Sequence, residues 1–365
     1  MMIRKLTAVI SILMLTALLP AGITSANTVN QEDTGSSTVS PVAGPFREIT
    51  DMAGRKVKIP ANITKVLTTS PPPATFVYMI APEKLGGWFF SPAGQAKKFI
   101  PEKFQHIPVL SWGRNVTNYE AYIAQHPDLV FELHETGFDL SRVDLVQKKF
   151  GTIPVVCVDN ARNAVGYAET LRFMGEVLGV PDRGQTLAGF YEDLLQEVQQ
   201  KVSGIPDGKR ARVYYAEKEN GLATDPAGSC HSQLIDVCGG INVAQCKISS
   251  GPGMTQVTME SVLMWNPDNI ITTSPEFEQH AYGDGTWKKV MAVRDHRIHC
   301  APGMPFNWFD RPPGVNRIPG IPWTAHVLYP DLFPENWAKT RVKTFFSLFY
   351  HYDLSEKELL SLINS

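Results

Sequence analysis

Residues 118–133 read NYEAYIAQHPDLVFEL, and residues 258–273 read TMESVLMWNPDNIITT. In each stretch a glutamate, Glu120 or Glu260, is followed after six residues by Pro-Asp, at Pro127-Asp128 and Pro267-Asp268. The apolar positions Tyr122, Ile123 and Val262, Leu263 predict a short helix before a Pro-Asp turn, and the apolar residues after the turn predict a strand. The two copies lie 140 residues apart. Two further pairs keep nearly that spacing: Lys65-Val66-Leu67 with Arg212-Val213-Tyr214 at 147, and Ile153 with Ile298 at 145. Three matches at a near-constant offset predict a duplication, two related α/β lobes in one chain.

Working outward, short apolar runs bounded by Gly and Pro alternate with helical patterns, as parallel strands joined by crossover helices do. Strands are predicted at residues 65–69, 84–90, 128–133 and 153–158, and a second set at 212–216, 269–273 and 297–300. Between the sets, Val165, Ala168, Leu171, Met174 and Leu178 recur at steps of three and four until Gly179 and Pro181 break the pattern. Leu187, Phe190, Tyr191, Leu194, Leu195, Val198 and Val202 then resume it. One long helix followed by another therefore connects the lobes. The expected division is an N-terminal lobe at 46–160, a helical connection at 161–203 and a C-terminal lobe at 204–365. A ligand cleft is expected where the lobes face each other.

The chain has 365 residues, enough for two domains. With 34 basic and 36 acidic residues it has no positive surplus to attract a nucleic-acid backbone. Arg4 and Lys5 precede an apolar run at residues 6–19, and Thr24-Ser25-Ala26 ends the small-residue stretch after Pro20. That pattern predicts a cleavable signal peptide at 1–26. An apolar run of this length falls short of the ~20 residues needed to span a bilayer. No cysteine lies near the end of the run, so a lipid anchor is not expected. Polar, aperiodic residues 27–45 read as a flexible leader. Losing Arg4 and Lys5 leaves 32 basic against 36 acidic residues and shifts the net charge from −2 to −4. Export implies an oxidising compartment, in which the five cysteines predict one or two disulfides, one involving Cys238, with the connectivity open.

From Phe46 to about residue 360 the chain resembles the periplasmic substrate-binding proteins of ABC importers for iron-siderophore complexes, haem and cobalamin. The resemblance rests on Asp51-Met52-Ala53-Gly54-Arg55 with Val57 and Pro60, on the two quoted segments, and on Asp236-Val237-Cys238-Gly239-Gly240-Ile241-Asn242. It implies two Rossmann-like lobes with parallel sheets joined by a long helix, and a soluble monomer in the periplasm. It implies no catalysis and no intrinsic cofactor. The ligand would be a metal chelate, with an iron(III)-siderophore leading and a corrinoid, haem, a nickel chelate or a molybdate-type oxyanion as alternatives. By the same resemblance, Glu120 and Glu260 would each present a carboxylate to arginines of the membrane permease.

Ligands of open α/β sheets bind beyond the carboxyl ends of the strands. The loops expected there carry Ser70, Trp88, Trp112, Arg114 and His134 in the first lobe. In the second they carry Tyr214, Tyr215, Glu217, Lys218, Phe277, His280, Tyr282, Met304, Phe306, Trp308, Asp310 and Arg311. Aromatic faces with a few cations suit a bulky anionic chelate. Trp112, Trp308 and Arg311 are the leading candidates, and Asp310 is a candidate for holding Arg311 in place. A bare-ion site finds little support, because His134, His231, His280 and His299 are scattered and no two of them share the i, i+4 spacing of a helical metal pair. Cys230-His231 suggests a thiol hydrolase only weakly, since no third orienting group can be named.

Overall fold

A computed structural model describes residues 45–89, 93–110, 118–134, 140–249 and 253–363. The expected signal peptide and nearly all of the leader lie outside these residues, as do Trp112 and Arg114.

The first part runs β1 (Phe46–Thr50), β2 (Lys56–Pro60), β3 (Val66–Thr68), α1 (Pro71–Ile80), α2 (Tyr119–Ile123), β4 (Leu129–Leu133), α3 (Ser141–Phe150) and β5 (Val155–Val158). Two helices follow, α4 (Tyr167–Leu178) and α5 (Pro181–Val202). Then come β6 (Arg212–Ala216), β7 (Ala223–Thr224), α6 (Gln233–Val237), β8 (Ile241–Asn242), β9 (Thr255–Gln256), α7 (Met259–Trp265), β10 (Asn269–Thr272), α8 (Pro275–Gly283), α9 (Met291–Arg294) and β11 (Ile298–Cys300). The chain ends in α10 (Gly320–Leu328), α11 (Glu335–Tyr350) and α12 (Glu356–Ile363).

Each lobe carries one parallel sheet, in the order β3-β4-β5 in the first and β11-β10-β6-β8 in the second. The Pro-Asp turns enter them identically. Asp128 N–H donates to the Lys65 carbonyl and Asp268 N–H to the Arg212 carbonyl, both at 2.8 Å. Each aspartate carboxylate also accepts from the first backbone N–H of the neighbouring strand segment, Lys65 or Arg212. The duplication is thus visible bond by bond. One expected strand did not form. Among the described residues of 84–90 only Leu85 and Trp88 make isolated bridges, because Pro82–Lys84 coils into a single 3₁₀ turn and Gly86-Gly87 interrupt the extended run.

The Asp51-to-Arg55 motif is an anchor. The Asp51 carboxylate, 4% exposed, accepts from Ala53 N, Arg55 N, the Arg55 guanidinium and Cys157 N, while Arg55 also donates to the Val155 carbonyl. The antiparallel β1–β2 hairpin is thereby fastened to β5. Gly54, at φ 77°, supplies the left-handed residue its turn needs. Helix α1 opens with three prolines, tolerated because the first-turn N–H groups have no intrahelical acceptor, and nine of its ten residues are buried.

In the bridge, α4 and α5 touch at two glycines. A Cβ on Gly175 would meet Gly184 Cα at 2.9 Å, and one on Gly184 would meet the Leu171 carbonyl oxygen at 2.7 Å. The final helices fold back: Tyr350 and Phe346 of α11 pack on Tyr78 of α1 and on Phe99. All five cysteines are free. The disulfide expected at Cys238 is therefore corrected: its thiol is fully buried in the apolar core and donates to the Ile321 carbonyl.

Candidate functional site

Three segments meet beyond the carboxyl end of the second sheet. Strand β6 ends in Ala216 and delivers Glu217; the turn after β7 supplies Asp225, Ser229, Cys230 and His231; the loop after β11 supplies Asp310 and Arg311. Arg162, in the connection between β5 and α4, reaches across from the first-lobe side.

Arg311 is the hub. Its Nε and a terminal nitrogen donate to Glu217 Oε1 at 2.9 and 2.7 Å, and it reaches Asp225 Oδ2 at 2.7 Å and Asp310 Oδ2 at 3.4 Å. The three carboxylate side chains are at most 2% exposed, whereas that of Arg311 is 28% exposed. Its φ of 44° puts a non-glycine residue in the left-handed region, a conformation the surrounding ion pairs must hold at a cost of about 1–3 kcal/mol. Burial, with help from Asp225 and Asp310, pushes the Glu217 carboxyl up to about 8 in spite of Arg311, and its Oε2 has no hydrogen-bond partner among the described residues. Arg311 therefore ties Glu217, Asp225 and Asp310 together.

A second cluster adjoins the first through Asp310. His231 Nδ1 lies 2.7 Å from Asp310 Oδ1, Tyr215 donates to Asp310 Oδ2, and Ser229 joins the His231 backbone to Asp225. A terminal nitrogen of Arg162 lies 3.2 Å from Cys230 Sγ and 3.3 Å from His231 Nε2. Burial opposes the His231 charge, but hydrogen bonds to Asp310 and Cys230 outweigh it and raise the imidazole to about 9. Burial likewise opposes ionisation of Cys230, and His231 and Arg162 overcome it, so this thiol is lowered.

Behind both sits Arg317, fully buried. It donates to the Tyr167 hydroxyl, to the Cys230 and Arg162 carbonyls and to the Gln233 side chain. These acceptors are neutral, and among the described residues no carboxylate pairs with it. Arg162, Arg311 and Arg317 thus converge here beside His231, facing Asp225, Asp310 and Glu217. Gathered guanidinium groups are the donor type that receives an anion.

Asp225, His231 and Asp310 place ligating atoms within 4.8 Å of one another, the donor types of a cation site. Arg311 already bridges the two carboxylates and Asp310 holds the imidazole, so the charge there is met without a metal.

The other expected contacts divide sharply. Arg311 and Tyr215 belong to the cluster, Tyr215 fully buried beneath it. Ser70 precedes α1, and its buried Oγ has no partner among the described residues. His134 follows β4 at partial exposure. His280 is exposed on α8, where Phe277 is core, so this stretch is helix rather than cleft loop. Trp88, Phe306 and Trp308 are corrected from cleft to core: they are at most 3% exposed. Trp88 lies against Tyr78 and Phe306, Phe306 against Tyr350, and Trp308 against Phe346. Large aromatic faces gain more from filling the seam under α11 than from lining a wet cleft. Trp112 and Arg114 lie outside the described residues. Asp225, Arg162 and Arg317 were not anticipated. The available signal was Arg317 itself, a cation set among Val315, Ile318 and Ile321.

A family model described as periplasmic binding protein matches residues 94–303. The molybdate-binding protein MolA of Haemophilus influenzae is 23% identical over 328 residues, covering 83% of this chain and 91% of that protein. An ABC transporter solute-binding protein from Sulfurospirillum deleyianum superposes with a TM-score of 0.80 at 29% identity, covering 87% of this chain and 99% of that one. A periplasmic solute-binding protein from Veillonella parvula gives 0.72 at 24% identity, with 88% and 97% covered.

Proposed function

The chain belongs to the periplasmic binding protein family, and from that premise we propose that it captures an anionic, metal-bearing solute at the lobe junction and hands it to an ABC permease. The observation that carries this reading is the convergence of three guanidinium groups, Arg162, Arg311 and the fully buried Arg317, at one site. Arg162 and Arg311, both part-exposed, would contact the solute with Ser70 Oγ, while Arg317 would contribute field from behind.

Among anionic solutes the geometry favours a compact oxyanion of the molybdate or tungstate kind. Guanidinium forks match tetrahedral oxygens, and among the described residues the expected cleft aromatics Trp88, Phe306 and Trp308 are spent in the core. The similarity to MolA, a molybdate-binding protein, points the same way. An anionic iron(III)-siderophore is the second reading, supported by the family resemblance of the motifs. In either case Glu120 and Glu260, both exposed, would be the permease contacts.

Elemental analysis and absorption spectroscopy of protein purified from its host, followed by calorimetry with molybdate, tungstate and a ferric siderophore, test this. Molybdenum or tungsten without a visible band supports the compact oxyanion; iron with a charge-transfer band supports the second reading. Tight binding of a neutral solute, with no loss on Arg162→Gln or Arg311→Gln, would remove the basis of both.

A further inference from the structure

Of the five free cysteines, one stands in surroundings unlike the rest. Cys157 and Cys238 are buried in the core. Burial raises Cys246 and pushes Cys300 up to about 11. Cys230 is half-buried, beside the Arg162 guanidinium and the His231 ring, and the Arg317 guanidinium holds its carbonyl at 2.6 Å. The ring is aligned by Asp310 on its far nitrogen, the carboxylate–imidazole order that fixes a tautomer and supports an imidazolium. Once His231 carries both protons, its Nε2–H and the Arg162 N–H are two donors 3.3 Å apart with one common acceptor, the sulfur. With Arg162 3.2 Å from the sulfur, a thiolate accepts from the guanidinium and from the imidazolium together.

We propose that Cys230 is a nucleophilic thiolate that forms mixed disulfides with low-molecular-weight disulfides, held ready by Arg162 and the His231–Asp310 pair. The Cys230 thiolate attacks one sulfur of the small disulfide, a new S–S bond forms and the old one breaks. The departing thiolate takes the proton from the His231 imidazolium. Cys230 is oxidised and the departing thiol reduced, so the small disulfide is the only oxidant required. The modification removes the negative charge that Arg162 faces and seats an adduct at the junction, next to the proposed solute contacts.

Among the described residues, the groups that face the sulfur are Arg162 from the β5–α4 connection, His231 with Asp310 behind it, and Arg317 from the 3₁₀ turn Val315–Arg317. Tyr167 of α4 also lies near, and burial raises its phenol to about 12, so it stays neutral. Reaction therefore follows the Cys230–His231 pair.

The full-length chain, free of solute, is treated with oxidised glutathione across pH 5–9, and adducts are quantified by intact mass and mapped by peptide. The expected result is modification of Cys230 at pH 6 at least about 10-fold faster than of Cys246 or Cys300. The rate at Cys230 should change little between pH 6 and 8. Arg162→Gln should slow it and move its pH profile toward that of an ordinary thiol near 8.5. Equal rates at the three part-exposed thiols, or a wild-type Cys230 profile that simply tracks an ordinary thiol, would overturn the proposal. The wild-type profile decides the question even if the variant does not fold. Since no solute is present, the outcome is independent of the solute reading.

Discussion

At the scale of single residues, Arg311 is where stability and function meet. It neutralises Asp225 and Asp310, both fully buried, so Arg311→Gln strips buried Asp225 of its ion-pair partner and leaves Asp310 to His231 alone. Breaking a buried pair from one side costs about 3–5 kcal/mol. Urea unfolding should show a loss of that size, together with loss of solute binding; a change under about 1 kcal/mol would mean that the aspartates find other partners. The same cluster sets a pH dependence. Glu217 ionises near 4.3 when unfolded and at about 8 in the fold, so the native state binds the extra proton and this contribution falls as pH rises from about 5 to 8. His231, raised to about 9 from the usual 6.5, contributes stability that is complete below 6.5 and lost as pH rises through 9. Melting temperature should therefore decline from pH 5 to 9, and Glu217→Gln should flatten the part below 8 while keeping the later fall. At this scale the sequence was least legible. Arg311 is legible as a cation in a loop beyond a strand end, but its partners Glu217 and Asp225 lie 94 and 86 positions away, and no local pattern reports such a pairing. Trp88 and Trp308 were misplaced for the complementary reason: an aromatic in a loop reads the same whether it lines a cleft or plugs a seam.

Among the secondary-structure elements, legibility follows locality. Six expected strands correspond to β3, β4, β5, β6, β10 and β11, because apolar runs between turn residues are a local signal. The 84–90 stretch failed where a 3₁₀ turn and paired glycines compete with extension. The two-residue strands β7, β8 and β9 are shorter than any periodicity can mark. The bridge was read as two successive helices, and it is two; what the pattern did not reveal is how closely they pack. Gly175 and Gly184 bring the α4 and α5 backbones together, and an added methyl on either meets backbone rather than a yielding side chain. Gly184→Ala should cost about 1–3 kcal/mol by overpacking despite the better helix propensity of alanine. Chemical denaturation measures it, and a stabilised variant would show that the helices can part without penalty.

For the whole molecule, duplication supplies the strongest inference. Glu120 and Glu260 each follow the first residue of a short helix whose cap is a side-chain oxygen, Asn118 Oδ1 accepting from Ala121 N and Thr258 Oγ1 from Ser261 N. Each helix runs into the same Pro-Asp turn, stitched by the same 2.8 Å backbone bond to the neighbouring strand segment. Both glutamates are exposed, and neither hydrogen-bonds nor ion-pairs with a residue of the cation cluster among the described residues. If they served only the first-turn dipole of their own helices, reversing their charge would lower stability slightly and change nothing else. If they are the paired contacts proposed for a permease, reversal places two cations against arginines, and long-range repulsion slows encounter as well as docking. Uptake of labelled solute by cells expressing the permease separates the cases. Glu120→Lys and Glu260→Lys should each reduce uptake, and the double variant should abolish it, while calorimetric affinity for the solute stays within about twofold because the site's charges are untouched. The two surfaces are not identical, since one turn beyond Glu260 stands Met264, 76% exposed, where the first copy has Ala124. The single variants should therefore differ in severity. Normal uptake by the double variant would leave the glutamates as ordinary helix-terminal charges and move the docking surface elsewhere on the lobes.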